Sequence, residues 1–237
     1  PASATYNVPL AFRLDHVHSG ALARAWRRLL DRHPILTARL DAAALCLAAG
    51  EPAALERVEL PKGMEPLDFA RRLAARPFDL ERDGPSRAQL LHGGALAEGQ
   101  DILLLTFHHL VFDGASAALA AENLWRAYAD IAAGRETQDQ TGADFADFAA
   151  WERALQTTPA GRAQRDHWRI VLARPLPVVD LPADRPAQPG AAIDGQTVER
   201  RLPAATVQAA RGGGGRPAPP PPPRGRGRQA QGGPPPP

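Results

Sequence analysis

The sequence predicts a mixed α/β fold, and three observations predict it. Residues 102–107 form an apolar run too short for a helix and long enough for a buried strand. Residues 20–32 and 117–133 carry apolar side chains at helical spacing, so amphipathic helices flank strand-like segments. Hydrophobic content of 44% in 237 residues supports a packed core.

Residues 6–14 alternate loosely and read as a strand, with Pro9 placing it at an edge or a bulge. Ser19 is the expected N-cap of the helix over 20–32, which carries Leu22, Ala25, Trp26, Leu29 and Leu30. His33-Pro34 ends that helix, and 35–40 reads as a strand. Residues 45–48 and 57–60 are weaker strands, 66–76 a short helix, and 87–91 a strand with His92 just beyond it. After the strand at 102–107 and the helix at 117–133, Gly134 stops the pattern and 137–142 is a polar loop. Helices follow over 145–155 and 159–172, then a strand over 195–202 and the start of a helix over 203–211. Trp26, Trp125, Trp151 and Trp168 suit core or interface anchoring better than ligand stacking.

Composition bounds the partners. The net charge of +2 conceals a division, because residues 211–237 hold five arginines and no acid. The remainder has 23 basic against 26 acidic residues, a net of −3, which gives no support for nucleic-acid binding by the body. The single cysteine, Cys46, excludes an internal disulfide and a cysteine-based zinc site. His16 and His18 are spaced like metal ligands, but no further ligands converge beside them. No run reaches membrane-spanning length and no leader pattern opens the sequence, so a cytoplasmic protein is expected, with no membrane partner.

The chemistry concentrates where the apolar strand ends. His108 and His109 are followed by Leu110, Val111, Phe112, Asp113 and Gly114, and Ser116 begins the long helical pattern. Histidine can accept or position a proton near neutrality. The acid can fix the loop by a salt bridge or orient a ring. Glycine permits positive φ and close approach of a substrate to backbone N–H groups. A strand ending in a polar turn explains one histidine, but not two followed by Asp-Gly.

This His-His-x-x-x-Asp-Gly pattern resembles the signature of the condensation domains of nonribosomal peptide synthetases, within the chloramphenicol-acetyltransferase-like superfamily. Further segments match in order: Tyr6-Asn7-x-Pro9; Arg32-His33 with Leu36 and Arg39; Pro77-Phe78-Asp79-Leu80 with Gly84-Pro85 and Arg87-Ala88; Phe145 to Arg153; and Leu181 to Pro186. Thr37 and Ala115 depart from the family pattern, standing in place of an arginine and a tryptophan.

The resemblance implies the N-terminal lobe of a condensation domain, an α/β sandwich of chloramphenicol-acetyltransferase type, over residues 1–180. A crossover toward a second lobe would occupy 181–211. Residues 212–237, built of Gly, Pro, Arg, Ala and Gln, cannot form a core and are expected to be disordered. Because this tail interrupts an expected helix, a frame change or truncation in a GC-rich gene is the favoured reading, and the first family segment, ahead of Tyr6, is not in the sequence. The implied reaction is peptide-bond formation between aminoacyl or peptidyl thioesters. These arrive on the phosphopantetheine arms of peptidyl carrier proteins beside an adenylation domain, with no directly bound cofactor or metal.

His109 is the expected catalytic residue, and His108 packs beneath the loop. Asp113 fixes the loop by a salt bridge, with Arg32 or Arg39 as partner candidates. Gly114 gives room and an N–H for the oxyanion, and Ser116 caps the next helix. Rival readings are another acyltransferase using coenzyme A or a lipid alcohol, an epimerisation domain, and a non-catalytic remnant.

Overall fold

The computed structural model describes residues 3–135, 144–173, 175–177 and 200–212. The chain divides into two units, Pro1–Leu176 and Pro177–Pro237. The expected loop at 137–142, the segment at 181–186 and the tail beyond 212 lie outside the described residues. So does most of the strand expected over 195–202, whose last residues, 200–202, are irregular.

The first unit is built around a four-stranded sheet. Strand β1 (Asn7–Asp15) lies antiparallel to the sixth strand in sequence, β6 (Gln100–His108), with Asn7 opposite His108 and Asp15 opposite Gln100. On its other side β6 pairs antiparallel with β5 (Ser86–His92), and β5 pairs parallel with β4 (Leu55–Glu59), giving the order β1-β6-β5-β4. Pro9 therefore sits on an edge strand, where its missing N–H costs no interior ladder bond. A separate hairpin joins β2 (Arg39–Asp41) to β3 (Cys46–Ala48).

Strand β6 is apolar on both faces because both are covered. Leu103, Leu105 and Phe107 join one cluster with Leu22, Trp26, Leu29 and Leu30 of α1 (Ser19–Arg32) and Ala120 and Leu124 of α3 (Gly114–Ala132). Ile102 and Leu104 face the other way, against Ala70 and Ala74 of α2 (Pro66–Ala74). This two-sided burial produces the continuous apolar run in place of alternation. Each such side chain contributes roughly 1.5–3 kcal/mol, an upper bound set by an extended unfolded chain.

Two local expectations are corrected. The N-cap of α1 is His18, whose Nδ1 accepts the Ala21 N–H at 3.0 Å, while Ser19 is already helical. An imidazole nitrogen one residue earlier does the work expected of the hydroxyl. The strand expected over 35–40 splits into a 3-10 turn, Pro34–Thr37, and the short β2. Pro34 supplies a preset φ at the start of the turn, and the Thr37 hydroxyl closes it by donating to the Pro34 carbonyl at 2.9 Å.

Helices α4 (Phe145–Thr157) and α5 (Pro159–Val171) follow, separated by Thr158, whose Oγ1 accepts the Gly161 N–H at 3.0 Å. Trp26 is buried and Trp125 packs edge-on against Phe12, whereas Trp151 and Trp168 are exposed. In the second unit the helix begun at 203 does form, as α6 (Ala204–Gly212). No helix among the described residues is long and apolar enough to cross a membrane.

Candidate active site

The two histidines part where the strand gives way to the turn: His108 is the last residue of β6 and His109 is the first residue beyond it. His108 ends β6, and its N–H donates to the Pro85 carbonyl at 2.8 Å. Its ring lies 6.0 Å from both the Tyr6 and Phe78 rings, meeting Phe78 edge-on. Its Nδ1 accepts the Leu110 N–H at 3.1 Å, which requires Nδ1 unprotonated and leaves the neutral ring's proton on Nε2. Burial, and then the neighbouring His109, hold the His108 pKa below the ordinary imidazole value.

His109 continues the pairing with β1, its N–H donating to the Tyr6 carbonyl at 2.8 Å. Its side chain is exposed and lines a cleft of about 520 Å³, together with Arg32 and His33 at the end of α1, the loop through Asp113, and Phe145 at the start of α4. His108 does not line it.

The loop between the histidines and α3 is held at two points. Phe112 turns inward, is 3% exposed, and stacks on Phe107 with centroids 3.9 Å apart. Asp113 then caps α3: its Oδ1 accepts the Ser116 N–H at 2.8 Å and the Ser116 hydroxyl at 2.7 Å. These bonds, the backbone one first, hold the Asp113 carboxyl below the usual carboxylate range.

Thus Asp113 caps α3 where a loop-fixing salt bridge was expected. Neither Arg32 nor Arg39 bonds to it among the described residues. Ser116 is the donor to the cap, the reverse of the role expected for it. Arg32 shares the cleft with His109, whereas Arg39, on β2, lines a different depression beside Glu51 and Arg87. Gly114 has no positive φ, so conformational freedom is not what requires glycine there. A Cβ added to it would meet no atom within 4 Å, so the approach past it is open.

Three features escape sequence reasoning. His33, noted there as a helix end and part of a matching segment but given no role, accepts a hydrogen bond from Asn123 of α3 at 3.0 Å. Burial and then Arg32 lower its pKa, which favours the neutral ring with Nε2 accepting from the amide. Phe112 occupies one of three unspecified motif positions and is the one that is buried. Asn7 reaches across from β1 to the end of α2, donating from Nδ2 to the carbonyls of Ala74 at 2.6 Å and Arg76 at 2.8 Å. Among the described residues no three His, Cys, Asp or Glu side chains converge as a metal site. The cleft thus offers an exposed imidazole, a cation at Arg32, and the uncrowded N-terminus of α3.

A family model described as "Condensation domain" matches residues 1–212. The polyketide synthase PksN of Bacillus subtilis (strain 168) is 30% identical over 211 residues, covering 86% of this chain and 4% of the synthase. Tyrocidine synthase 3 of Brevibacillus parabrevis is 32% identical over 195 residues, covering 77% of this chain and 3% of the relative. Among solved structures, the X-domain described in complex with OxyB from teicoplanin biosynthesis superposes with a TM-score of 0.65 at 30% identity, over 78% of this chain and 43% of that one. The chain therefore spans a few per cent of the synthases it matches, and less than half of the solved chain.

Proposed function

Because the chain belongs to the condensation-domain family, with its chloramphenicol-acetyltransferase-like α/β fold, we propose that it supplies the His109 side of a site that forms peptide bonds between carrier-bound thioesters. The observation that carries this reading is that His109, and not His108, is exposed on the cleft at the end of a strand buried on both faces.

In this reading an acceptor amine attacks the donor thioester carbonyl. The C–N bond forms and the C–S bond breaks. The amine proton leaves by way of the His109 imidazole, and the thiol departs on its phosphopantetheine arm. Gly114 leaves the approach open, and the N-terminal end of α3 favours the charge of a tetrahedral oxyanion. Asp113 holds the loop and carries no proton. Arg32 fits the anionic phosphate of an incoming arm better than it fits Asp113. The substrates would come from peptidyl carrier proteins beside an adenylation domain. Two thioesters need a wall facing His109, which a further part of the condensation fold would supply; positioning of this kind is worth roughly 7–11 kcal/mol of barrier.

The test is a carrier-loaded condensation assay on a complete domain in which residues 1–211 supply this half. His109→Ala is expected to reduce product formation about 10²-fold or more, the scale of a lost acid–base group. Near-normal product from the folded variant overturns the assignment. The likeness to an X-domain seen in complex with OxyB supports a second reading, a docking platform, in which His109→Ala would leave partner binding and every other readout unchanged.

A further inference from the structure

Beside the His109 cleft lies a second depression, of about 530 Å³, between the β2–β3 hairpin and the start of α4. The two share Pro34, Ile35, Leu47, Asp144 and Phe145 in their linings, so one runs into the other past Phe145. The walls of the second are apolar and mostly short, with Ala38, Ala48 and Ala49 on one side and Ala146 and Ala149 on α4. Alanine at these five positions leaves open a space that longer side chains would fill. Its two charged residues are engaged along α4. Asp144 caps the helix, accepting the Asp147 N–H at 2.9 Å, and Arg153 Nε donates to the Ala149 carbonyl at 3.3 Å.

The hairpin holds an apolar side chain over this space. Asp41 Oδ1 accepts the N–H groups of Ala43 and Ala44, at 3.0 and 2.9 Å, and so fixes the turn. Leu45 follows with a φ of 50°, in the left-handed region where glycine or asparagine is the ordinary choice. It lines the depression yet is 86% exposed, so little of the protein packs against it. A leucine kept at a strained and unburied position contributes little to folding, and strain of this kind gathers where ligands bind.

We propose that the depression is an acyl subsite, which takes the hydrocarbon chain of a substrate whose thioester lies in the cleft at His109. Continuity with that cleft identifies the occupant. A chain held there by its carbonyl enters the depression past Phe145, and alanine walls with Leu45 and Leu47 at the rim receive an apolar group. A polar side chain would lose its water there and gain few partners. The inference rests on the proposed reaction only for the thioester that delivers the chain.

The test uses Cys46, which is exposed, lines the depression and is the single cysteine of the 237-residue chain. Its rate of reaction with an aromatic disulfide reagent is measured with pantetheine analogues carrying acetyl, butanoyl or octanoyl groups through an amide in place of the thioester, so that no acyl group transfers. Octanoyl is expected to protect Cys46 at the lowest concentration, each methylene that enters tightening binding about two- to fourfold. Ala149→Trp fills the space from α4 and should remove the dependence on chain length, each rate being compared with that of the same variant without probe. Protection that is equal for acetyl and octanoyl, or absent for both, overturns the proposal. So does a chain-length dependence that survives unchanged in folded Ala149→Trp. Should the variant not fold, the series on the unmodified chain decides alone. The readout is binding at Cys46 without turnover, so it can fail while peptide-bond formation stands, and hold while that reaction fails.

Discussion

Replacing Phe112 by alanine tests how the motif loop is held. Phe112 is 3% exposed, and its ring lies 3.9 Å from that of Phe107, tilted by 5°. Phe107 in turn is fully buried and 6.0 Å from the ring of Trp26. Leu110, two residues before Phe112, is 54% exposed and anchors nothing. Removing the Phe112 ring therefore opens a cavity against the core, and a phenylalanine-to-alanine change of this kind costs about 3–5 kcal/mol. The ring pair accounts for roughly 0.5–1.5 kcal/mol of that. In a unit of this size, each kcal/mol moves the melting temperature by about 2–4 °C, so the variant should melt roughly 6–20 °C lower. Phe112→Leu keeps most of the volume and should lose only about 1–1.5 kcal/mol.

Urea unfolding followed by tryptophan fluorescence measures this, because buried Trp26 reports on the same cluster. Amide exchange at Leu110 and Val111 measures the loop itself; the Val111 N–H donates to the His108 carbonyl at 3.1 Å. A loss below about 1 kcal/mol in Phe112→Ala, with exchange at both amides unchanged, would refute the anchoring role, since no buried aromatic that fills its site is removed so cheaply.

Other outcomes follow from the same geometry. Asp113 has a lowered folded pKa, so its contribution is present above the unfolded carboxylate pKa and is lost as pH falls through the folded value. Helicity at the start of α3 should therefore fray on acidification, and Asp113→Asn, which keeps the accepting oxygen, should remove that pH dependence when followed by amide shifts of Ala115–Ala117. His33 also has a lowered pKa, but as a base: the unfolded chain takes up its proton first, so stability should fall as pH drops from about 6.5 toward the folded value. His33→Gln should flatten that slope in urea titrations repeated across pH. His18→Ala removes the cap of α1 and should cost about 0.5–2 kcal/mol in the same titrations, whereas Ser19→Ala should be near neutral.

What the sequence made legible, and what it hid, divides by the range of the interactions involved. The central strand was legible because burial on two faces leaves a continuous apolar run, and the helix over 117–133 because its stripe is long. The paired histidines stand out in the sequence because they follow that apolar run directly, one closing the strand and the other opening the turn. Asp113 was misread as a salt-bridge acid although the cap signal, an aspartate three residues before a serine at the start of an apolar helix, was there to read. Arg39 resembled a family residue in the sequence, yet it follows the 3-10 turn at Pro34–Thr37 on β2 and lines a different depression from His109. Phe112 and Leu110 are equally apolar in the sequence, and no periodicity operates inside a five-residue loop to say which turns inward. Asn7 was hidden most deeply. Its bonds reach residues 67 and 69 positions away, and its partner on β6 is farther still. Local propensity carries no information about such a residue. Its position opposite His108 follows only from the register of the two strands.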